Sequence, residues 1–109
     1  MSPASAIRVS GFQVLLGTDG EPLTYKGSSM NALVDRNIDV NELQKLSREG
    51  AVDFEPFGMT RIEFLKSQVP TRPTAGETFA DAIGYTHRVR YVLGTDITWK
   101  CYCQQYETT

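Results

Sequence analysis

Short segments in which apolar and polar residues alternate make up most of the chain. In the segment ITWKCYCQQY, residues 97–106, the side chains of Ile97, Trp99, Cys101 and Cys103 share one face. Because side chains alternate between the two faces of a strand, this pattern predicts an antiparallel strand with one face buried, in which Trp99 has a structural role. We expect further strands at residues 12–16, 22–25, 30–35, 60–69, 77–80 and 86–92.

Turn-forming residues separate these segments. The cluster GTDG at residues 17–20 predicts a hairpin between the first two of them. Gly76 and Gly84 predict the turns of a second hairpin, and both glycines are assigned structural roles there. In the second strand of that hairpin, His87 is expected to share a face with Tyr91.

One segment has helical periodicity. In NIDVNELQKLSREG the apolar residues Val40, Leu43 and Leu46 recur every three positions. Asp39 or Asn41 can cap the first turn, and Gly50 follows a basic last turn, as at the end of a short helix. We expect one helix of about two to three turns, which needs tertiary packing to be stable.

The segment around this helix differs from the rest of the chain. Phe54 and Phe57 follow the helix in a loop or edge that also contains Pro56. We predict a flexible tail at residues 1–6 and a single β domain at residues 7–109, with an insertion at residues 36–58 that can be mobile.

The number of strands indicates the fold class. About six short strands, one short helix and no alternation of strands with helices predict a mainly β protein, a small antiparallel β-barrel or sandwich. A chain of 109 residues is long enough to build one hydrophobic core.

Charge and hydropathy narrow the possible partners. The formal net charge is −2, from 13 acidic and 11 basic residues, so we expect no strong field for nucleic-acid phosphates and no sequence-specific nucleic-acid binding. The sequence has neither the pattern of a signal peptide nor a run of 18 apolar residues, and we expect a soluble protein that does not enter membranes.

Candidate chemistry is sparse. Cys101 and Cys103 are two residues apart on a strand, about 6.5–7 Å, which is too far for a disulfide, and a zinc site would need two ligands beyond them. His87 has no nucleophile motif beside it, and Asp53 and Glu55 fit a solvated edge better than an acid/base pair. We expect no catalytic, cofactor or metal site.

Two other classes of function remain open. One is a small hydrolase in which His87 acts with Cys101 or Cys103, which requires a depressed thiol pKa. The other is a small β-barrel that binds nucleic acid or protein. Nucleic-acid binding would require a basic groove beside aromatic side chains on which bases stack. The candidates for stacking are Tyr85, Tyr91, Trp99 and Tyr102.

Several motifs occur in the order of a known family. They are LGTDGEPLTYKG and ALVDR in the first half, and RIEFLKSQVPTRP, GETF, DAIGYTHRV and ITWKCYC in the second. In this order and spacing the chain resembles the small neck proteins of tailed bacteriophages and prophages, the head-tail joining or attachment family. The resemblance covers most of the chain and is weakest between residues 37 and 58.

The resemblance implies a structural protein and not an enzyme. Its members form a ring that joins the portal-side connector of the capsid to tail proteins, so the expected location is the virion neck, or the host cytoplasm before assembly. On this interpretation Asp81, Arg88 and Arg90 face water or a neighbouring subunit. Our hypothesis for the subunit interface consists of Val40, Leu43, Leu46, Phe54 and Phe57.

Overall fold

The structure is a computed structural model that describes residues 3–48 and 58–107. Within these residues, two helices and six strands follow one another. They are α1 (Pro3–Asp19), β1 (Glu21–Tyr25), β2 (Ser28–Asp35), α2 (Val40–Arg48), β3 (Met59–Leu65), β4 (Thr78–Asp81), β5 (Tyr85–Gly94) and β6 (Thr98–Glu107).

The six strands form one closed antiparallel barrel in the order β1-β2-β3-β6-β5-β4. The barrel closes where β1 pairs with β4, with Leu23 opposite Asp81 and Tyr25 opposite Phe79. The predicted mainly β fold is therefore confirmed, and of the two predicted architectures the chain adopts the barrel.

Large apolar side chains fill the barrel. The rings of Tyr25 and Phe79 stack with their centroids 4.6 Å apart, and Phe64 packs against Phe79 at 5.8 Å. Trp99 lies at one side of this core and donates a hydrogen bond from Nε1 to the carbonyl oxygen of Val69, 3.0 Å away. Its face of β6, with Cys101 and Cys103, is buried as predicted.

The first helix corrects the prediction for the N-terminal segment. Residues 12–16 were expected to form a strand, but they lie within α1, and residues 3–6 of the expected tail lie in its first turn. Phe12 and Leu16 are four residues apart, so they share one helical face, which packs on Leu65 outside the barrel. The flexibility of residues 1–6 stays a prediction.

The predicted helix near residue 40 is confirmed as α2. Asp39 caps it, accepting a hydrogen bond from the backbone N–H of Asn41 at 2.8 Å. Leu43 and Leu46 pack against Tyr102 on the outer face of β6. The mobility of residues 36–58 stays a prediction, because residues 49–57 lie outside the described part of the chain.

The hairpin of β4 and β5 contains the predicted turn and an irregularity that was not predicted. Gly84 has a φ of 104°, which suits glycine best. A β-bulge at Arg90 lies between the pairs Val89–Cys103 and Tyr91–Tyr102. The extra residue changes which side chains point inward, so Tyr91 does not share the face of His87 as expected.

Candidate functional site

The only histidine of the chain lies in a buried polar network. His87 is fully buried in the barrel. Its Nδ1 atom is 2.8 Å from the hydroxyl of Thr60, and its Nε2 atom is 2.9 Å from Oδ2 of Asp81. Since an ionised carboxylate only accepts hydrogen bonds, Nε2–H donates to Asp81, and in the neutral ring Nδ1 accepts from Thr60.

Asp81 is the centre of this network. Its Oδ1 atom accepts hydrogen bonds from the backbone N–H groups of Ile83 and Tyr85, and its Oδ2 atom also accepts one from Nη2 of Arg36 at 3.1 Å. Burial alone would raise the pKa of Asp81, but the hydrogen bonds, led by the one from His87, outweigh it and lower the pKa to about 2. The Asp81 side chain is fully buried, so the expectation that it faces water is wrong.

The network extends from the barrel interior toward the surface through Arg36. This guanidinium binds Glu21 with two hydrogen bonds, of 2.6 and 2.8 Å, in addition to Asp81. Thr60, His87, Asp81 and Glu21 belong to four different strands, and Arg36 directly follows a fifth. The network therefore ties strands on both sides of the β1–β4 pairing.

The geometry of this network suits a structural role better than catalysis. Thr60, His87 and Asp81 have the residue types of a hydrolase triad, but Thr60 is only 2% exposed and His87 is 0% exposed. A nucleophile needs a path to its substrate, and the hydroxyl of Thr60 has none in this conformation. The hydrogen bonds connect neighbouring strands and hold them in register, although Nε of Arg36 is buried without a partner.

The two cysteines are also enclosed. Cys101 and Cys103 are free and fully buried. Burial, with a smaller contribution from Glu77, raises the pKa of Cys101 to about 12, and burial raises that of Cys103 well above its usual value. This disfavours the thiolate that a cysteine hydrolase requires. Within residues 3–48 and 58–107, no three His, Cys, Asp or Glu side chains are grouped so that they could hold a metal ion.

A second polar cluster attaches α2 to the barrel. Glu42 accepts hydrogen bonds from Nη1 of Arg61 and from the hydroxyl of Tyr102, both at 2.6 Å. Burial acts to raise the pKa of Glu42, but these two partners lower it below its usual value. Tyr102 is 2% exposed and Trp99 is 9% exposed, so neither ring offers a free face for base stacking. Tyr85 and Tyr91 remain partly exposed.

Three exposed apolar side chains lie on one face of α1. Ile7, Val14 and Leu15 are 73%, 68% and 46% exposed, and we call them the outer face of α1. Arg8 and Asp19 are the only charged residues of this helix, and Arg8 forms an ion pair with Asp96 at 2.6 Å. Exposed apolar patches on soluble proteins commonly mark interaction sites.

The predicted interface residues are in different environments. Val40 is 58% exposed, whereas Leu43 and Leu46 are buried in the contact between α2 and the barrel. Phe54 and Phe57 lie outside the described residues, and the interface hypothesis stays a prediction. Sequence reasoning missed the outer face of α1 because the segment was expected to be a strand.

Comparisons with known proteins leave the site to be interpreted from its own residues. No family model, no curated protein and no solved structure matches this chain. In the described ranges, 3–48 and 58–107, neither helix is long and apolar enough to cross a lipid bilayer.

Proposed function

We propose that this protein is a structural subunit of the neck of a tailed phage or prophage, where it forms a ring between the capsid connector and tail proteins. The outer face of α1 carries the proposal, because it leaves Ile7, Val14 and Leu15 in contact with water. The family resemblance of the barrel motifs supports the same role. On this proposal the protein acts in the virion neck and is present in the host cytoplasm before assembly.

The occupant of the outer face of α1 is a second copy of this chain. Apart from Arg8 and Asp19, the helix carries no charge that would select a charged partner. In a ring, each subunit presents this face to a different surface of its neighbour, and such a heterologous contact closes after a fixed number of copies.

We expect the contact between two isolated copies to be weak. Full burial of one Val, Leu or Ile side chain contributes about 1.5–3 kcal/mol, so three partly exposed side chains offer about 3–5 kcal/mol. A micromolar complex requires about 8 kcal/mol. We therefore expect the purified chain to be monomeric at micromolar concentration and to assemble only when a partner ring holds neighbouring copies together.

The test is complementation of a deletion of this gene in its source genome, with particles observed by electron microscopy. Without the gene we expect DNA-filled heads and detached tails, and the wild-type gene should restore joined particles. Val14→Asp should fail to restore them, because the charge lies on the outer face of α1. Gln13→Asp places the same charge at an exposed neighbouring position and should restore them.

Two results would contradict the proposal. Joined particles in the absence of the gene would exclude the neck role. Full complementation by Val14→Asp would exclude the outer face of α1 as the subunit contact. Circular dichroism of both purified variants checks that each retains the wild-type fold.

A further inference from the structure

Three arginines line a continuous trough on the outside of the barrel. The connector at residues 72–76 runs beside β5, held by hydrogen bonds of 2.8 Å from Gly76 N–H to the Val89 carbonyl and from Val89 N–H to the Glu77 carbonyl. Two open depressions, of about 440 and 230 Å³, lie between the connector and β5, and both are lined by Ala75 and Arg90. We call this surface the arginine trough and define it by Arg72, Arg88 and Arg90.

The trough is positively charged although the protein as a whole is acidic. Among the residues that the structure describes, no Asp or Glu lines either depression. Among the described residues, Arg8, Arg36 and Arg61 each form an ion pair with a carboxylate. None of the three trough arginines forms an ion pair with a described carboxylate, so their charges remain available to an anion.

Two of the three guanidinium groups, those of Arg72 and Arg88, are partly fixed in position before any ligand binds. Arg72 donates from Nη2 to the Val92 carbonyl at 2.6 Å, and its guanidinium lies over the ring of Trp99 at 5.6 Å. Arg88 lies over the ring of Tyr106 at 5.5 Å. Arg90 occupies the β-bulge, where it is skipped in the pairing of β5 with β6. Such restraint lowers the entropic cost of binding.

We propose that the arginine trough binds the phosphate groups of single-stranded nucleic acid. Planar guanidinium groups with several N–H donors are well suited to phosphate oxygens. Three of them spread over two adjoining depressions fit a chain of phosphates better than one isolated ion. Tyr91, a partly exposed aromatic residue, lines the smaller depression together with Arg72 and Arg90.

This inference does not depend on the neck role. It concerns a surface of the folded monomer, and binding would be independent of base sequence because phosphates carry no sequence information. A failure of the particle experiment and a failure of nucleic-acid binding are therefore separate results.

Fluorescence anisotropy of a labelled oligothymidylate of about 16 nucleotides, titrated with the full chain, tests the proposal. Three phosphate contacts on a single strand predict a slope of about −2 in a plot of log K against log salt concentration. The affinity should then fall about 20-fold between about 50 and 200 mM salt.

Arg90→Gln is the informative variant, because it removes the charge of a residue that lines both depressions. Loss of one phosphate contact should weaken binding about fivefold at about 0.1 M salt and reduce the slope by about 0.7. Lys45→Gln is the matched control. Lys45 is exposed on α2, outside the trough, and this change lowers the net charge by the same amount. It should leave both the affinity and the slope unchanged.

Four outcomes would overturn the assignment. One is an affinity that does not depend on salt, and another is equal weakening by Arg90→Gln and Lys45→Gln. A third is binding of inorganic phosphate at least as tightly as the oligonucleotide, which would reassign the trough to a free oxyanion. The fourth is equally tight binding of polyglutamate, which would indicate a general site for acidic polymers. Thermal unfolding of both variants checks that each retains the wild-type fold.

Discussion

Replacing Asp81 by asparagine probes the buried network directly. The substitution keeps the shape of the side chain but converts one acceptor oxygen into an NH₂ donor. Oδ1 accepts from two backbone N–H groups and Oδ2 accepts from His87 and Arg36, so either orientation of the amide places donor against donor. Asp81→Asn should therefore destabilise the folded protein.

The size and pH dependence of the effect follow from the pKa of Asp81. Folding lowers this pKa from 3.8 to about 2, which corresponds to about 2 kcal/mol of stability contributed by the ionised form. A group with a lowered folded-state pKa contributes this stability fully above its unfolded pKa and loses it as the pH falls through the folded pKa. The contribution should be complete above about pH 5 and roughly half as large at about pH 3.

Urea unfolding of the wild type and of Asp81→Asn between pH 2 and pH 7 measures this difference. The pKa of Glu77 is also lowered to about 2, so its contribution to stability is lost over the same pH range in both proteins. This contribution therefore cancels in the comparison. Asp96→Asn serves as the control, since Asp96 is an exposed partner of Arg8 and should have little effect. Equal stability of wild type and Asp81→Asn at pH 7, or a difference that does not change with pH, would refute the role assigned to Asp81.

Two further predictions concern the fold. Gly84→Ala should destabilise the protein by about 1–2 kcal/mol, because a φ of 104° strains any residue with a Cβ, even though no atom lies within 4 Å of where that Cβ would be. Gly11→Ala within α1 should instead stabilise the protein by about 0.5–1 kcal/mol. Thermal unfolding in which both alanines act alike would contradict this. Leu46→Ala should cost about 3 kcal/mol by leaving a cavity under α2, while Val40→Ala, at an exposed position, should change stability by less than about 0.5 kcal/mol. Equal urea midpoints for these two variants would show that Leu46 is not part of the core.

The strands and α2 could be predicted from the sequence because their apolar residues follow one clear period. Trp99, Cys101 and Cys103 alternate strictly with more polar neighbours, and Leu43 and Leu46 lie on one helical face. These patterns arise because one face of each element packs into a core, although in β6 the other face is also partly covered, with Tyr102 buried under α2. Closure into a barrel rather than a sandwich requires pairing between β1 and β4. No local sequence pattern specifies this pairing.

The first helix could not be recognised for the opposite reason. Phe12 and Leu16 pack inward, while Val14 and Leu15 are exposed, so α1 is apolar on more than one face. Without a polar face the helical period is hidden, and the run FQVLL resembles a short buried strand. A helix that is apolar on more than one face commonly packs against more than one apolar partner.

The two candidate sites were also beyond a reading of the sequence. Thr60, Asp81 and His87 come from three strands, and only the fold of the barrel brings them together. The arginine trough depends on the bulge at Arg90 and on the path of the connector at residues 72–76, neither of which has a specific local signal. The low net charge of the whole chain concealed this local concentration of cations.

Closure of the barrel also limits how copies of this protein can associate. β1 pairs with β4, so each of the six described strands has a hydrogen-bonded neighbour on both sides. A strand at an open sheet edge presents free N–H and C=O groups that can recruit strands from other molecules and start aggregation. Because none of the described strands forms an open edge of this kind, a contact between copies would use side chains on helices and outer faces rather than pairing of one sheet with another.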